Sequence, residues 1–224
     1  MRTWGPTAVV LALLAATAIA FATTERQKLE KTPFAVVRLD DVLSPVCRCS
    51  TNATTIALRF RRTHVLTIQI LNAHGRIVRT LADEHTVRGG VFAVRWDGRD
   101  NAGRTVPDGA YDPRFVLDDG RTFDPPNPIR VDSTAPAARL VSYRPHRVRR
   151  GKRVLIRYRV SEPAHPLLFV DGRRVVLGNA KALTAAFQWF ARLPRGRHRL
   201  QLAAVDLAGN VGRRTRPFVV RIRR

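Results

Sequence analysis

From Thr54 onward, apolar residues recur at every second position in short runs, the period of a half-buried strand. "TTIALRF" (54–60) and "VLTIQIL" (65–71) come first, and the second places Leu66, Ile68 and Ile70 on one face. "NAHG" (72–75) turns the chain into "RIVRTL" (76–81), "GGVFAVRW" (89–96) follows, and beyond a polar stretch come "GAYDPRFVL" and "NPIRVD". Six or so short strands at turn-punctuated spacing predict one β-sandwich over residues 44–131. "DSTAP" breaks the pattern and reads as a linker over 132–136.

The second half repeats the style without repeating the sequence. "RVLIRYRV" (153–160) aligns Val154, Ile156, Tyr158 and Val160 opposite Arg153, Arg157 and Arg159. "LLFVDGRRVVL" (167–177) is a hairpin with Asp171-Gly172 at its tip, a pair suited to a tight two-residue turn. "LTAAFQWFARL" (183–193) fits strand or helix by period, and its neighbours favour strand. "GRHRLQLAAVD" and "RPFVVRIR" then flank "DLAGN" (206–210). A second sandwich over 137–224 is the economical reading.

The first 24 residues follow neither pattern. After Arg2, "WGPTAVVLALLAATAIAFATT" carries no charge until Glu25, and about 20 apolar residues suffice to span a bilayer as a helix. The segment reads as a signal anchor, or as a signal peptide cut after Ala22, where "AFA" supplies small residues around a cleavage site. Flanking charge does not orient it, because Arg26, Lys28 and Lys31 follow while only Arg2 and the amino terminus precede. Residues 25–43 read as a stalk. The predicted fold is thus all-β, two tandem sandwiches preceded by one N-terminal apolar helix, with single-pass membrane attachment and the sandwiches outside the cytoplasm; secretion is the alternative.

Charge separates the two sandwiches. The chain carries +23 over its 224 residues, divided as +3 over 1–39, +1 over 40–132 and +19 over 133–224. Nearly all the excess is arginine, a planar bidentate donor suited to phosphate and carboxylate. Alternation directs much of it outward, since the intervening apolar residues need the core. Arg147, Arg149, Arg150, Lys152, Arg153, Arg157, Arg159, Arg173 and Arg174 are therefore candidate anion-binding residues.

"LTIQILNAHGRIVRTL" and "GGVFAVRWDGRDNAGRTVPDGAY" together resemble the Ig-like module of the flagellar hook-capping family, the FlgD-type Ig-like domain. In that family a strand, a D/N-x-x-G turn and a VR-x-L strand precede a WDG-x-D-x-x-G-x-x-V-x-x-G-x-Y hairpin. Asn72, Gly75, Val78, Arg79 and Leu81 fit the first part. Trp96, Asp97, Gly98, Asp100, Gly103, Val106, Gly109 and Tyr111 fit the second. The resemblance implies an Ig-like fold for residues 44–131, and "DSTAP…VDLAGN" is similar to a generic bacterial Ig-like repeat. Nothing resembles the hook-capping protein's own N-terminal region, so the flagellar role is not carried over.

Within that module Trp96 is expected to plug the sandwich while Asp97 to Gly103 form a turn held by side-chain-to-backbone hydrogen bonds. A calcium site on Asp97, Asp100 and Asn101 is the alternative; it lacks the full ligand set and bidentate glutamate of an EF-hand loop. Cys47 and Cys49, two apart, can form a local disulfide if the chain bends; free thiols, metal binding and intermolecular pairing are the other uses. The six histidines show no HExxH or i, i+4 pairing, no serine sits in a GxSxG elbow, and "NAT" (52–54) is a glycosylation triplet without weight in a bacterial chain. No enzyme activity, cofactor, metal or small-molecule substrate is expected. The expected function is a noncatalytic binding or scaffolding protein of the cell envelope, its partners the cytoplasmic membrane through the N-terminal helix and anionic envelope polymers or lipids. Two alternatives remain: a secreted structural or adhesive accessory of a surface assembly, and a nucleic-acid binder acting through the basic module.

Overall fold

The structure, a computed structural model, describes residues 13–17, 32–178 and 182–224. The expected N-terminal apolar helix lies outside these except for residues 13–17, which form one helical turn. Among the described residues no helix is long and apolar enough to cross a membrane. Every described residue from 34 onward is in a strand, turn or loop.

The first module contains β1 (Phe34–Leu39), β2 (Val42–Leu43), β3 (Thr54–Phe60), β4 (His64–Asn72), β5 (Ile77–Val87), β6 (Gly90–Trp96), β7 (Gly109–Leu117), β8 (Thr122–Phe123) and β9 (Ile129–Val131). One sheet runs β1-β3-β6; the other runs β2-β9-β7-β4-β5, with β8 beside β7. Their inner faces close over Ile56, Leu58, Leu66, Ile68, Ile70, Trp96, Phe115 and Ile129, all fully buried. The alternation in β3 and β4 causes this directly, since every second side chain must leave water together.

The stalk expected over 25–43 differs from what the chain forms. Residues 34–43 supply β1 and β2, Phe34 packs among Phe60, Phe115 and Phe123, and Leu43 is fully buried. Period-2 analysis fails there for a physical reason. A register shift between Val36 and Arg38 interrupts β1, and Val36 and Val37 are both exposed, so no regular alternation marks the strand.

The second module contains β10 (Ala138–Arg144), β11 (Arg147–Arg149), β12 (Arg153–Val160), β13 (His165–Val170), β14 (Arg173–Leu177), β15 (Thr184–Phe190), β16 (Gly196–Val205) and β17 (Phe218–Arg223). Its sheets run β10-β12-β15 and β11-β17-β16-β13-β14. Strand for strand this is the order of the first module, and in each a short strand joins the last one in parallel, β2 with β9 and β11 with β17. The ambiguous segment around Trp189 is a strand, antiparallel to β12. Asp171 and Gly172 both take positive φ, 49° and 82°, as the predicted two-residue hairpin requires. Val154, Ile156, Tyr158, Leu168, Leu200, Leu202 and Val220 fill the second core.

Trp96 has the largest fully buried side chain, meeting Tyr111 edge-on at 5.3 Å. Trp96→Ala is expected to cost about 3–5 kcal/mol of unfolding free energy, read from denaturant titration.

Candidate functional site

The two halves of the family-like motif meet in space. Trp96 donates its indole N–H to the Arg99 carbonyl at 2.9 Å, holding the turn over the end of β6. Asp100 Oδ1 accepts the N–H groups of Ala102 and Arg104, and Oδ2 accepts from the Arg104 guanidinium. The Arg104 N–H, with help from its side chain, holds the Asp100 carboxyl below the usual carboxylate range against the effect of burial. Asn101 Oδ1 accepts from the Thr80 N–H, and Arg79 donates to the Asp100 carbonyl, so the turn is pinned to β5. Of the oxygens that could have ligated calcium, Asp97 Oδ1, both Asp100 oxygens and Asn101 Oδ1 accept protein hydrogen bonds, and Asp97 Oδ2 faces the Arg99 guanidinium at 3.5 Å. Gly98 and Gly103 adopt positive φ in this turn, and a Cβ on Gly98 would press on Pro45 and Leu43. Among the described residues no group of three or more His, Cys, Asp or Glu is gathered as for a metal ion.

Gly109 and Tyr111 have a role that a turn reading does not supply. Tyr111 stands near the start of β7 and donates its hydroxyl to the Pro107 carbonyl at 2.8 Å, the tyrosine corner of Ig-like sandwiches. The second module repeats the device with another residue. At the topologically equivalent start of β16, His198 Nε2 lies 2.8 Å from the Pro194 carbonyl, again four residues back. "PDGAY" and "PRGRH" thus correspond, Gly109 and Gly196 included, with φ of 157° and 153°. His198 Nδ1 meets Asp171 at 2.7 Å. Burial works to lower the His198 pKa, but the Asp171 carboxylate and the Pro194 carbonyl outweigh it and the net shift is upward. Burial likewise pushes Asp171 up, and His198 and the Arg199 N–H bring it below its ordinary value.

A second constellation joins the modules. The "DLAGN" turn of the second module docks on residues 44–51 of the first: Ser44 Oγ donates to Asn210 Oδ1, and Thr51 Oγ1 donates to the Ala208 carbonyl. Asn210 Nδ2 donates to the Asp132 carbonyl and to Asp206 Oδ2, and the Asn210 N–H donates to Asp206 Oδ1. Cys47 and Cys49 are joined as a disulfide within the docked loop. Gly209 is required here, because its φ is positive and a Cβ would collide with Cys49 Sγ and Thr51 Oγ1. Asp108 fixes the linker by accepting from Ser133 and Thr134. Beside the clasp lies a cleft of about 800 Å³ lined by Asp41, Arg130, Asp132, Glu162 and Asp206 among others. Burial, followed by Asp132 and Asp206, pushes the Glu162 carboxyl up.

The basic residues do not form one patch. Arg153, Arg157 and Arg159 stand on the outer face of the three-stranded sheet with Leu155 and Phe190 as same-face neighbours. Arg147 and Arg149 belong to β11, an edge of the five-stranded sheet on the opposite side of the sandwich, while Arg173 and Arg174 are on its other edge, β14. Arg150 and Lys152 lie in the connection between the two sheets. The structure adds Arg197 and Arg199 and sets them beside Arg221 and Arg223 of the basic C-terminal run "RIRR". Their signal was present, because β16 and β17 alternate arginine with buried residues at 220, 222 and 200, but it becomes a surface only when those strands pair. Ion pairs divide unevenly: in the first module Arg38, Arg99, Arg104, Arg114 and Arg121 each meet an aspartate and His64 meets Asp118. In the second, among the described residues, the pair is His198 with Asp171.

Comparison with known proteins gives the same class. The family model described as FlgD Ig-like domain matches residues 50–116, within the first module. No curated protein matches. The FN1–FN3 domains of chicken CNTN1 are 14% identical with a TM-score of 0.52, covering 85% of this chain and 66% of that one. The Clostridium thermocellum CbhA fibronectin(III)-like modules are 15% identical with a TM-score of 0.45, covering 84% and 92%. FlgD from P. aeruginosa is 18% identical with a TM-score of 0.27, covering 42% of this chain and 63% of its own. The CNTN1 likeness shows the fold alone. The chain carries an Ig-like domain over residues 50–116 within a fold built of β-sandwich modules.

Two expected outcomes follow from this geometry. Asn210→Ala strands three partners, Ser44 and Asp206 buried and Asp132 half-buried, and is expected to cost about 1–3 kcal/mol, appearing in calorimetry as a separate, lower-temperature transition of one module. For the corner pair, a raised histidine pKa gives stability that is complete below the ordinary value of about 6.5 and is lost as pH rises through the folded value. The lowered Asp171 pKa gives stability present above about 3.8 and lost as pH falls through its folded value. Melting temperature should therefore decline from pH 6 to 8, and His198→Tyr, which restores the hydroxyl corner, should flatten that decline.

Proposed function

We propose that this chain is a noncatalytic binding or scaffolding protein of the cell envelope, displaying two Ig-like domains outside the cytoplasmic membrane. The apolar run over residues 1–24 is its attachment, and the second module engages anionic envelope partners. The observation that carries the reading is the contrast between the modules. The first is near neutral and pairs several of its arginines with aspartates, whereas the second holds +19 over 133–224 with no guanidinium–carboxylate contact among the described residues. A field of one sign over one domain destabilises that domain by self-repulsion, and a polyanion alongside relieves it. Support for a scaffolding role comes from the buried clasp and the pinned linker, which present the basic module at a fixed distance from the first.

The test is protease treatment of intact cells carrying a C-terminal epitope, combined with high-salt washing of membranes. The expected result is loss of the epitope from intact cells and retention of the untreated protein in washed membranes, because burial of some 20 apolar residues does not respond to salt. Recovery of a mature chain beginning at Thr23 decides for the secreted accessory. Protection of the epitope in intact cells, with exposure only after lysis, overturns display.

A further inference from the structure

The face bearing Arg157 and Arg159 holds one cross-strand arginine pair, Arg139 with Arg159, whereas the outer face of the five-stranded sheet carries two registered rows, one of them spanning three strands. Arg147 of β11, Arg221 of β17 and Arg197 of β16 are direct cross-strand partners, one row over three strands. Arg149 and Arg223 form the adjacent row, and Arg199 stands opposite Val219. All six arginines are exposed. Adjacent strands lie about 4.8 Å apart and same-face rows about 6.8 Å apart. Like charges directly opposite each other destabilise a strand pair, so this arrangement opposes the sheet that bears it unless counter-charge is supplied. An open groove of about 690 Å³ runs beside the rows, lined by Arg195, Arg197, Arg221, Arg223 and Arg224 together with Gly196 and Ile222.

We propose that this groove and its two arginine rows bind a linear phosphodiester polymer that lacks bases; the proposal rests on the anionic-partner reading above and assigns it one face and one chemistry. Guanidinium groups take phosphate oxygens in a bidentate fork, and successive arginines at strand spacing meet successive charges of an extended chain. Nucleic acid fits less well, because sequence-tolerant binding of single strands relies on aromatic platforms. Phe169, the aromatic on this sheet's outer side, is nearly buried with the Arg214 guanidinium 3.8 Å from its ring centroid. A bilayer surface fits less well for a different reason: no exposed large apolar side chain stands on β11, β16 or β17 to enter it, and the exposed Val175 of this sheet is on its far edge strand β14.

The experiment measures binding of the full chain, held in phosphatidylcholine nanodiscs, to poly(glycerol phosphate), to a thymidine oligonucleotide and to phosphatidylglycerol vesicles, matched in phosphate and titrated with salt. The polymer is expected to bind most tightly and to be released by salt. Arg197→Gln with Arg221→Gln is expected to weaken polymer binding about tenfold or more. Arg157→Gln with Arg159→Gln, which removes the same charge from the other face, is expected to change it less than about threefold. Equal losses from both double variants would overturn the assignment to this face while leaving the anionic-partner reading intact. Tighter binding of the oligonucleotide or the vesicles overturns the choice of polymer. Absence of binding to all three overturns the anionic-partner reading itself.

Discussion

The side chain of Asn210 is the point at which the two modules become one object. Buried at 5% exposure, it accepts from Ser44 of the first module and donates to Asp132 of the linker and Asp206 of its own turn. A buried amide with every group satisfied is orienting rather than adhesive: its net contribution is modest, but any rearrangement leaves several polar atoms without partners. That asymmetry makes the relative placement of the modules specific. Gly209 sharpens it further, since only a residue without a Cβ brings the turn against the Cys47–Cys49 loop.

The WDG motif serves that same junction from below. Trp96 fixes the end of β6, the turn behind it is pinned to β5 by Arg79 and Asn101, and Gly98 faces Leu43 and Pro45 at the base of the docked loop. A stretch that looks like a ligand loop from its acids and glycines is therefore a support for the loop that carries the clasp. One oxygen each of Asp97, Asp100 and Asn101 accepts backbone N–H groups, as in turns generally.

Shared topology with divergent surfaces explains how one chain can hold a neutral and a strongly basic module. The inward positions of both sandwiches are filled by interchangeable aliphatic and aromatic residues, so the same strand order arises from sequences with little in common. The corner changes from Tyr111 to His198 without losing its hydrogen bond to a carbonyl four residues back. Outward positions are free of the packing constraint, and there the second module has accumulated arginine.

The sequence alone determined the all-β class, the inward faces of β4 and β12, and the Asp171-Gly172 hairpin. Each of these is local: period-2 burial and turn chemistry act between residues near in the chain. It also determined the charge contrast, which needs only counting. It misplaced the start of the first module, because a bulged strand with exposed Val36 and Val37 carries no period. Only the tertiary structure decided that Ser44 meets Asn210 across 166 positions of chain, that PDGAY and PRGRH are the same corner, and that Arg147, Arg221 and Arg197 form one row while Arg157 and Arg159 face the other way. Those facts depend on which strands pair and in what register, and strand pairing between distant segments is set by the joint burial of whole faces rather than by any residue and its neighbours.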